Sequence, residues 1–235
     1  MKIVEEFSKF AYEYNKYNVI QKEVAKKLIA YLDKYEYSKI LDIGAGDGEV
    51  YKNLLHQGIV FKEFVALDFS EAMLSVHPDA KNIKKVCLDF NKTDFSLLVE
   101  NEKFDLLISS SALQWSENLN LVLSSIKELS SELYFSFFTS NTFKCLHETV
   151  MITSPIYSKE EILNALDNNF KYEVEVEEYR LYFDSVHEML RYIKKSGVSG
   201  GVDQLSYGQM KSLMREYPLK YLEFEVLFVK ILEVK

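Results

Sequence analysis

Three glycines alternate with other residues in the segment 44–48, and this spacing is the first feature of the sequence that could serve a ligand. The apolar run 39–43 before them predicts a buried strand, and the segment 49–57 after them predicts a helix. Glycine allows positive φ angles and a close approach of backbone to a bound molecule, because it has no Cβ. The sequence therefore predicts a strand, a tight turn and a helix, with a small molecule held at the turn.

Carboxylates follow the strands that the pattern predicts after this turn. Asp68 lies twenty residues beyond Gly48, at a strand end where a carboxylate can accept hydrogen bonds from ribose hydroxyls. Asp89 and Phe90 offer an acceptor for an adenine amino group beside an aromatic face. Because ligands of open α/β sheets bind outside the carboxyl ends of the strands, we expect one shared crevice. The competing interpretation is that the acids only cap helices and that Phe90 is core.

The glycine spacing separates two classes of nucleotide site. A dinucleotide fingerprint needs its third glycine at position 49, which is Glu49 here. The GxGxG spacing instead resembles the turn of methyltransferases, whose cofactor S-adenosyl-L-methionine has no phosphate and presents a zwitterionic methionine end. Asp42 is then expected to meet the ammonium group of that end. The predicted cofactor-binding residues are Asp42, Gly44, Ala45, Gly46, Gly48, Asp68, Phe69, Asp89, Phe90, Ser109 and Ser110.

The elements that must position these residues alternate along the chain. Short apolar runs recur at 64–67, 83–88, 104–109 and 133–138, and the segments between them are long enough for crossover helices. Upstream, the segment 19–35 predicts an amphipathic helix. Because the runs are apolar almost continuously, they predict parallel strands that are covered on both faces.

The end of the chain predicts a different arrangement. Residues 172–178 alternate with period two and 222–232 is another long strand candidate, so we expect a terminal antiparallel pair. Helical patterns at 185–196 and 207–217 lie between them. The predicted fold class is α/β: a Rossmann-like, seven-stranded methyltransferase sheet, mostly parallel with a terminal antiparallel strand pair, helices on both faces and a small helical insertion between the last two strands.

No repeat, proline-rich linker or low-complexity tract divides the chain, and only three prolines occur in it. A length of 235 residues at 48% hydrophobic content suits one sizeable core. We therefore expect a single domain, 1–235, with an N-terminal helical cap at about 1–36 and a helical insertion at about 184–218.

Composition disfavours several classes of partner. The formal charge of −8 argues against a nucleic-acid substrate, because such affinity comes from Lys and Arg that neutralise phosphates. No apolar run approaches the ~18 to 20 residues of a membrane span, so we expect no membrane and a cytoplasmic location. Cys87 and Cys145 are too few for a disulfide framework, and the four histidines are not at zinc-ligand spacing, so we expect no metal.

The segment Ser109–Trp115 reads SSSALQW and contains the only tryptophan of the chain. It resembles the malonyl-[acyl-carrier protein] O-methyltransferases of biotin synthesis, whose fourth strand ends in a serine-rich run closing with Gln-Trp, here Gln114 and Trp115. Upstream, Tyr14 and Gln21 match a family pattern of Tyr and Gln seven residues apart. The resemblance covers nearly the whole chain.

Further matches and departures lie downstream. Arg191, Lys194 and Gly197 match the Arg-x-x-Lys-x-x-Gly helix end of the family. In the closing strand, Glu223 and Phe224 stand where the family usually has Thr and Tyr. These departures bear on the substrate more than on the cofactor.

The resemblance implies a reaction and roles for six residues. A methyl group moves from the sulfonium to the free malonyl carboxylate, and no general base is needed, because a carboxylate with a pKa near ~4 is already ionised at neutral pH. Arg191 or Lys194 is expected to hold the carboxylate, and Tyr14 and Gln21 to close the pocket. The predicted catalytic residues are Tyr14, Gln21, Gln114, Trp115, Arg191 and Lys194.

The resemblance implies a malonyl-loaded acyl carrier protein as the partner, and two readings remain beside it. A carrier protein is usually acidic, so basic groups at 22 and 26 or at 191–195 would form its docking patch. One alternative is a carboxyl or other O-methyltransferase that acts on a free small-molecule acid. The other is a non-catalytic module that only binds S-adenosyl-L-methionine.

Overall fold

The computed structural model describes residues 17–92, 95, 103–195 and 205–235, without the side chains of residues 194 and 195. Within these residues the strands are β1 Glu36–Ile43, β2 Val60–Asp68, β3 Ile83–Cys87, β4 Phe104–Ser110, β5 Ser130–Phe138, β6 Phe170–Tyr182 and β7 Tyr221–Val234. The helices are α1 Val19–Ala30, α2 Glu49–His56, α3 Glu71–Val76, α4 Leu119–Ile126, α5 Lys144–Val150, α6 Lys159–Asp167, α7 Val186–Lys195 and α8 Tyr207–Glu216. A single 3₁₀ turn, Leu113–Trp115, follows β4.

The seven strands form one sheet in the order β3-β2-β1-β4-β5-β7-β6. The pairs among β1 to β5 are parallel, whereas β7 runs antiparallel to both β5 and β6. The predicted fold class is confirmed. The strand order reverses at β1, where β2 lies on one side and β4 on the other, and such a switch point opens a crevice at the carboxyl ends of the strands.

Helices cover both faces of the sheet because the parallel strands are apolar on both sides. One core cluster packs α1, α2, α5, α7 and α8 against one face through residues such as Leu28, Leu54 and Ile193. The other cluster packs α4 and α6 against the opposite face through Leu123, Ile162 and their neighbours. The two helices between β6 and β7, α7 and α8, therefore add to the cover of the first face. The single-domain organisation with a cap and an insertion stays a prediction.

Two predicted boundaries differ from the structure. The first helix ends at Ala30, not near residue 35, because β1 begins at Glu36 and pairs with Val60, so the chain is already extended there. β6 is longer than the alternating run 172–178, because it pairs with β7 along almost its whole length. Pairing across the sheet, which the local pattern does not contain, sets both limits.

Helix caps fix the segments around the site. Ser158 and Glu161 form a complete capping box at the start of α6, as their spacing predicts. Ser185 accepts from the Glu188 N–H, but the Glu188 carboxylate accepts from the N–H of Asp184, so that predicted box is displaced by one residue. None of the described helices has the length and apolar character needed to cross a bilayer.

Candidate functional site

A cleft opens at the carboxyl ends of the central strands, where ligands of open α/β sheets bind. The walls come from the start of α1, the turn after β1, the ends of β2 and β4 and the segment after β4. The lining residues are Asn18, Gln21, Ala25, Gly44, Ala45, Gly46, Asp47, Glu49, Val50, Asp68, Phe69, Met73, Phe90, Ser110, Ser111, Ala112 and Trp115.

The glycine turn is held against the end of β2 by its own backbone. The N–H groups of Gly44 and Ala45 both donate to the carbonyl of Leu67, at 2.8 and 3.0 Å. The Gly46 N–H donates to the Asp68 carboxylate at 2.9 Å. Gly44 and Gly46 have φ angles of 77° and 54°, in the left-handed region that favours glycine. The turn therefore presents bare backbone to the cleft in a fixed shape.

Gly44 also lies against the segment that follows β4. A Cβ placed on Gly44 would be 2.2 Å from the Cβ of Ala112, a distance that neither backbone can relieve without moving. Gly46 has more room, with the Met73 methyl as the nearest side-chain group at 3.5 Å. Close packing of the turn against the β4 segment thus requires glycine at position 44.

Asp68 is buried at the base of the cleft, and backbone N–H groups of Gly46, Phe69 and Ser70 donate to it. Its carboxylate accepts from the N–H of Ser70 at 2.8 Å as well as from Gly46. Burial raises the pKa of Asp68 to about 6, against the lowering effect of these hydrogen bonds. A carboxylate has about four acceptor positions, so Asp68 keeps capacity for further donors in the cleft.

Asp42 is the most deeply buried acid near the cleft, and it has no exposed surface. Neither of its carboxylate oxygens has a hydrogen-bond partner. Burial raises the pKa of Asp42 well above its ordinary value, and the nearby charge of Asp68 raises it further. It lies behind the lining residues and not among them. Such a group is costly to the fold unless a cation or a polar ligand is close to it.

Two residues predicted to act on the substrate, Gln21 and Trp115, lie together on the cleft wall. Gln21 is only 7% exposed, and both polar atoms of its amide lack a hydrogen-bond partner. Buried amides are almost always paired in folded proteins. Gln21 therefore has unused hydrogen-bonding capacity beside the cleft, and its contact with the substrate stays a prediction.

Other predicted residues lie beside the cleft and support its walls. Gly48 caps α2 and packs against residues 77 and 78. Ser109 is fully buried and donates to the carbonyl of Ile43 at 2.7 Å, which joins β4 to the glycine turn. Gln114 donates to the carbonyl of Ser111 at 2.6 Å. Their predicted direct contacts with cofactor or substrate stay predictions.

Asp89 lies after β3, also outside the lining set. Partial burial acts to raise the pKa of Asp89, but hydrogen bonds from the backbone and side chain of Asn91 and from Lys92 hold it below its ordinary value. The carboxylate is therefore ionised at neutral pH and suited to accept hydrogen bonds. Its neighbour Phe90 does line the cleft and is also part of the core, so both interpretations of Phe90 describe its position.

The predicted carboxylate anchors are not among the described lining residues. Arg191 is exposed on α7, and its guanidinium lies 3.3 Å from the ring of His187. Lys194 is in the same helix, and its side chain lies outside the described part of the structure, as does the whole of Tyr14.

The described lining of the cleft contains acidic side chains and no Lys or Arg. Lys52, outside the lining, forms ion pairs with Asp47 and Glu49, so Asp68 is the lining acid that is left without a lysine partner in these pairs.

Sequence reasoning assigned no site role to four polar lining residues, Asn18, Asp47, Glu49 and Ser111. Asn18 is fully buried, and its amide donates to the Asp47 carboxylate at 3.2 Å. Ser111 has a left-handed φ of 58°, and its buried hydroxyl has no hydrogen-bond partner. A strained non-glycine backbone of this kind is concentrated at functional sites. The serine run after β4 was a signal for Ser111, whereas the contact of Asn18 with Asp47 spans 29 residues and has no local signal.

Comparisons with known proteins agree with this geometry. Residues 41–131 match the model of a methyltransferase domain. The YcgJ protein of Bacillus subtilis superposes with a TM-score of 0.62 at 12% identity, over 88% of this chain and 97% of that one. A phosphoethanolamine N-methyltransferase of Haemonchus contortus, solved with S-adenosylhomocysteine, superposes with a TM-score of 0.53 at 14% identity, over 90% and 52% of the chains.

The sequence relatives are more specific. A malonyl-[acyl-carrier protein] O-methyltransferase of Bacillus cereus is 31% identical over 232 residues, which cover 89% of this chain and 84% of the relative. Because the match covers 89% of this chain, it extends on both sides of residues 41–131. The chain is a methyltransferase and belongs to the malonyl-[acyl-carrier protein] O-methyltransferase family.

Proposed function

We propose that the cleft binds S-adenosyl-L-methionine and that the chain methylates the free carboxylate of a malonyl thioester on acyl carrier protein, an early step of biotin synthesis. The observation that carries the proposal is the meeting of the glycine turn, Asp68 and the Gln21–Trp115 wall in one cleft. The names of the relatives supply the acceptor. The bound product in the Haemonchus contortus enzyme supplies a precedent for the cofactor.

The residues present fit this cofactor. The remaining acceptor capacity of Asp68 suits a ribose hydroxyl, and the apolar side chains of Phe69, Met73 and Phe90 suit the adenine ring. The unpartnered Asp42 carboxylate lies behind the turn, where the methionine ammonium would compensate its charge. The acidic lining likewise favours a sulfonium over a phosphate-bearing nucleotide.

The chemistry is a displacement at carbon. S-adenosyl-L-methionine supplies an electrophilic methyl group: a carboxylate oxygen bonds to the methyl carbon as the carbon–sulfur bond breaks, and the electron pair remains on sulfur. The protein aligns the carboxylate oxygen with the methyl carbon and removes water from the carboxylate. Removal of water raises the reactivity of the carboxylate. We assign to Gln21 and Ser111 the donation of hydrogen bonds to that carboxylate, and their buried, unpartnered polar groups beside the cleft support this assignment.

Arg191 and Lys194 are proposed to balance the acceptor charge. The lining that the structure describes has no Lys or Arg, and the family resemblance assigns the balancing cation to α7. We expect the double change Arg191→Ala and Lys194→Ala to lower kcat/KM for the malonyl thioester by about a hundredfold, because a buried carboxylate loses its charged partner. The control is Arg215→Ala, which removes another exposed arginine of the same insertion. Unchanged turnover in the double variant would exclude these side chains as anchors.

The pH dependence of cofactor binding is expected to report Asp68. Its pKa in the folded protein is raised to about 6, so the carboxylate that accepts a ribose hydroxyl is mostly protonated at pH 5 and ionised at pH 8. We expect the affinity for S-adenosylhomocysteine, measured by calorimetry, to fall by up to about tenfold from pH 8 to pH 5. The variant Asp68→Asn should bind S-adenosylhomocysteine weakly at both pH values, and the part of the pH dependence that comes from Asp68 should disappear. If the affinity of this variant falls between pH 8 and pH 5 as much as that of the parent protein, Asp68 is not the group that titrates.

Methyl-labelled S-adenosyl-L-methionine tests the function itself. The purified protein is incubated with the label and malonyl acyl carrier protein, and the carrier is examined for a base-labile methyl ester. We expect one labelled ester per malonyl group and none on the unloaded carrier. Labelling of a free small acid in preference to the loaded carrier would replace the proposed acceptor. Binding of cofactor without transfer to any acid would contradict the reaction.

A further inference from the structure

A groove leads away from the cofactor cleft on the other side of Trp115. The part next to Trp115 is lined by Gln114, Ser116 and the loop 154–157. The outer part shares Ser154 with it and continues to Lys144 on α5. We call these two parts together the outer groove. Trp115 lines both the cleft and the outer groove, so the two are separated by this one side chain.

The walls of the outer groove are held at a fixed separation by Tyr157. Its hydroxyl donates to the carbonyl of Ser116 at 2.9 Å and accepts from the Leu119 N–H at 3.3 Å. The Tyr157 carbonyl in turn accepts from the N–H of Ser140 at 2.8 Å. These bonds join the loop 154–157 to the segment after β4 and to the end of β5. The groove is therefore formed before any ligand enters it.

Polar atoms along the groove lack partners within the protein. These are the amide oxygen of Gln114 and the hydroxyls of Ser116 and Ser154. Gln114 is 2% exposed and Ser116 is 7% exposed, so the protein shields both from bulk water. A buried polar group without a partner costs about 1 to 3 kcal/mol. These atoms suit an extended ligand that has hydrogen-bond donors and acceptors at intervals along its length.

We propose that the outer groove receives the phosphopantetheine arm of the acyl carrier protein, with the thioester end at Trp115. This inference rests on the proposed function. The arm alternates amide groups with methylenes, so its N–H groups suit the Gln114 oxygen and its carbonyls suit the two serine hydroxyls. The exposed Lys144 at the outer end suits the phosphate that joins the arm to the carrier. One oxygen of the Glu161 carboxylate, which also lines the groove, accepts from the N–H and the hydroxyl of Ser158.

The test compares a substrate that has the arm and its carrier with a substrate that has neither. The kcat/KM is measured for malonyl acyl carrier protein and for the malonyl thioester of ethanethiol, and their ratio is taken. Ser154→Trp fills the groove where its two parts meet, and Lys144→Glu reverses the charge at its outer end on an exposed residue. Ser124→Trp, on the exposed side of α4, is the matched control.

We expect the ratio of carrier-bound to short substrate to fall by about tenfold or more in both groove variants, because contacts with the arm are lost. In Ser124→Trp the ratio should stay within twofold of that of the parent enzyme. If the parent methylates both substrates and neither groove variant changes the ratio, the arm does not use this groove. If the parent methylates neither substrate, the proposed function fails and this inference fails with it.

Discussion

Gly44→Ala is expected to destabilise the protein and to abolish tight cofactor binding. Gly58→Ala is expected to destabilise the protein less and to leave cofactor binding nearly unchanged. Both glycines have similar left-handed φ angles, 77° and 74°. A Cβ at Gly58 meets nothing within 4 Å, but a Cβ at Gly44 lies 2.2 Å from that of Ala112. The pair therefore separates backbone strain from steric overlap.

Backbone strain and steric overlap each set a part of the expected loss of unfolding free energy. A left-handed alanine costs about 1 to 2 kcal/mol, which both variants should lose from the free energy of unfolding in urea. Overlap in a packed site costs about 1 to 3 kcal/mol more, and only Gly44→Ala should show that loss. Because relief of the overlap must move the turn, its affinity for S-adenosylhomocysteine should fall by at least about a hundredfold. Equal losses of stability in both variants would show that Gly44 and Ala112 do not pack as described.

Asp42→Asn is expected to make the ligand-free protein more stable and its cofactor binding weaker. The carboxylate of Asp42 is fully buried and unpartnered, so it costs the fold free energy whenever it is ionised. The neutral amide avoids that cost, and we expect a gain of about 1 to 3 kcal/mol in the free energy of unfolding at pH 8. The amide cannot balance an ammonium group, so the affinity for S-adenosylhomocysteine should fall by about tenfold or more.

The sign of the pH dependence gives a second readout for Asp42. Its pKa is raised in the folded state, so above about pH 4 the unfolded chain releases a proton that the folded chain keeps. The parent protein therefore loses stability as pH rises from about 4 toward the folded-state pKa, and the advantage of Asp42→Asn should grow over the same interval. Asp33→Asn, at an exposed position, is the control. An advantage that does not change with pH would contradict the unpartnered burial of Asp42.

The main features of the fold are predictable from local sequence. Continuous apolar runs such as 104–109 indicate strands that are buried on both faces, and the alternating run 172–178 indicates a different environment. The convergence of the glycine turn with Asp68 is also predictable, because the carboxyl ends of parallel strands share one edge of the sheet. These inferences need only element types and their order.

Contacts that depend on register are not predictable in this way. Adjacent serines of β4 face opposite sides of the sheet, so Ser110 lines the cleft while Ser109 bonds to the carbonyl of Ile43. Which of the two reaches the cleft depends on how β4 pairs with β1, and no local signal gives that register. The close approach of Ala112 to Gly44 also depends on the register of β4 against β1. The sequence indicates that β4 ends in serines, but only the packed sheet shows which serine lines the cleft and which one bonds to the backbone.

The central claim is that an adenosine cofactor lies across the strand ends at the switch point of the sheet. A crystal structure of the protein grown with S-adenosylhomocysteine tests it most directly. The account predicts a ribose hydroxyl within hydrogen-bonding distance of the Asp68 carboxylate, and the amino-acid end at the turn formed by 44–48, with Asp42 behind it. Ligand bound elsewhere, or a cleft that stays empty at saturating ligand, would contradict it.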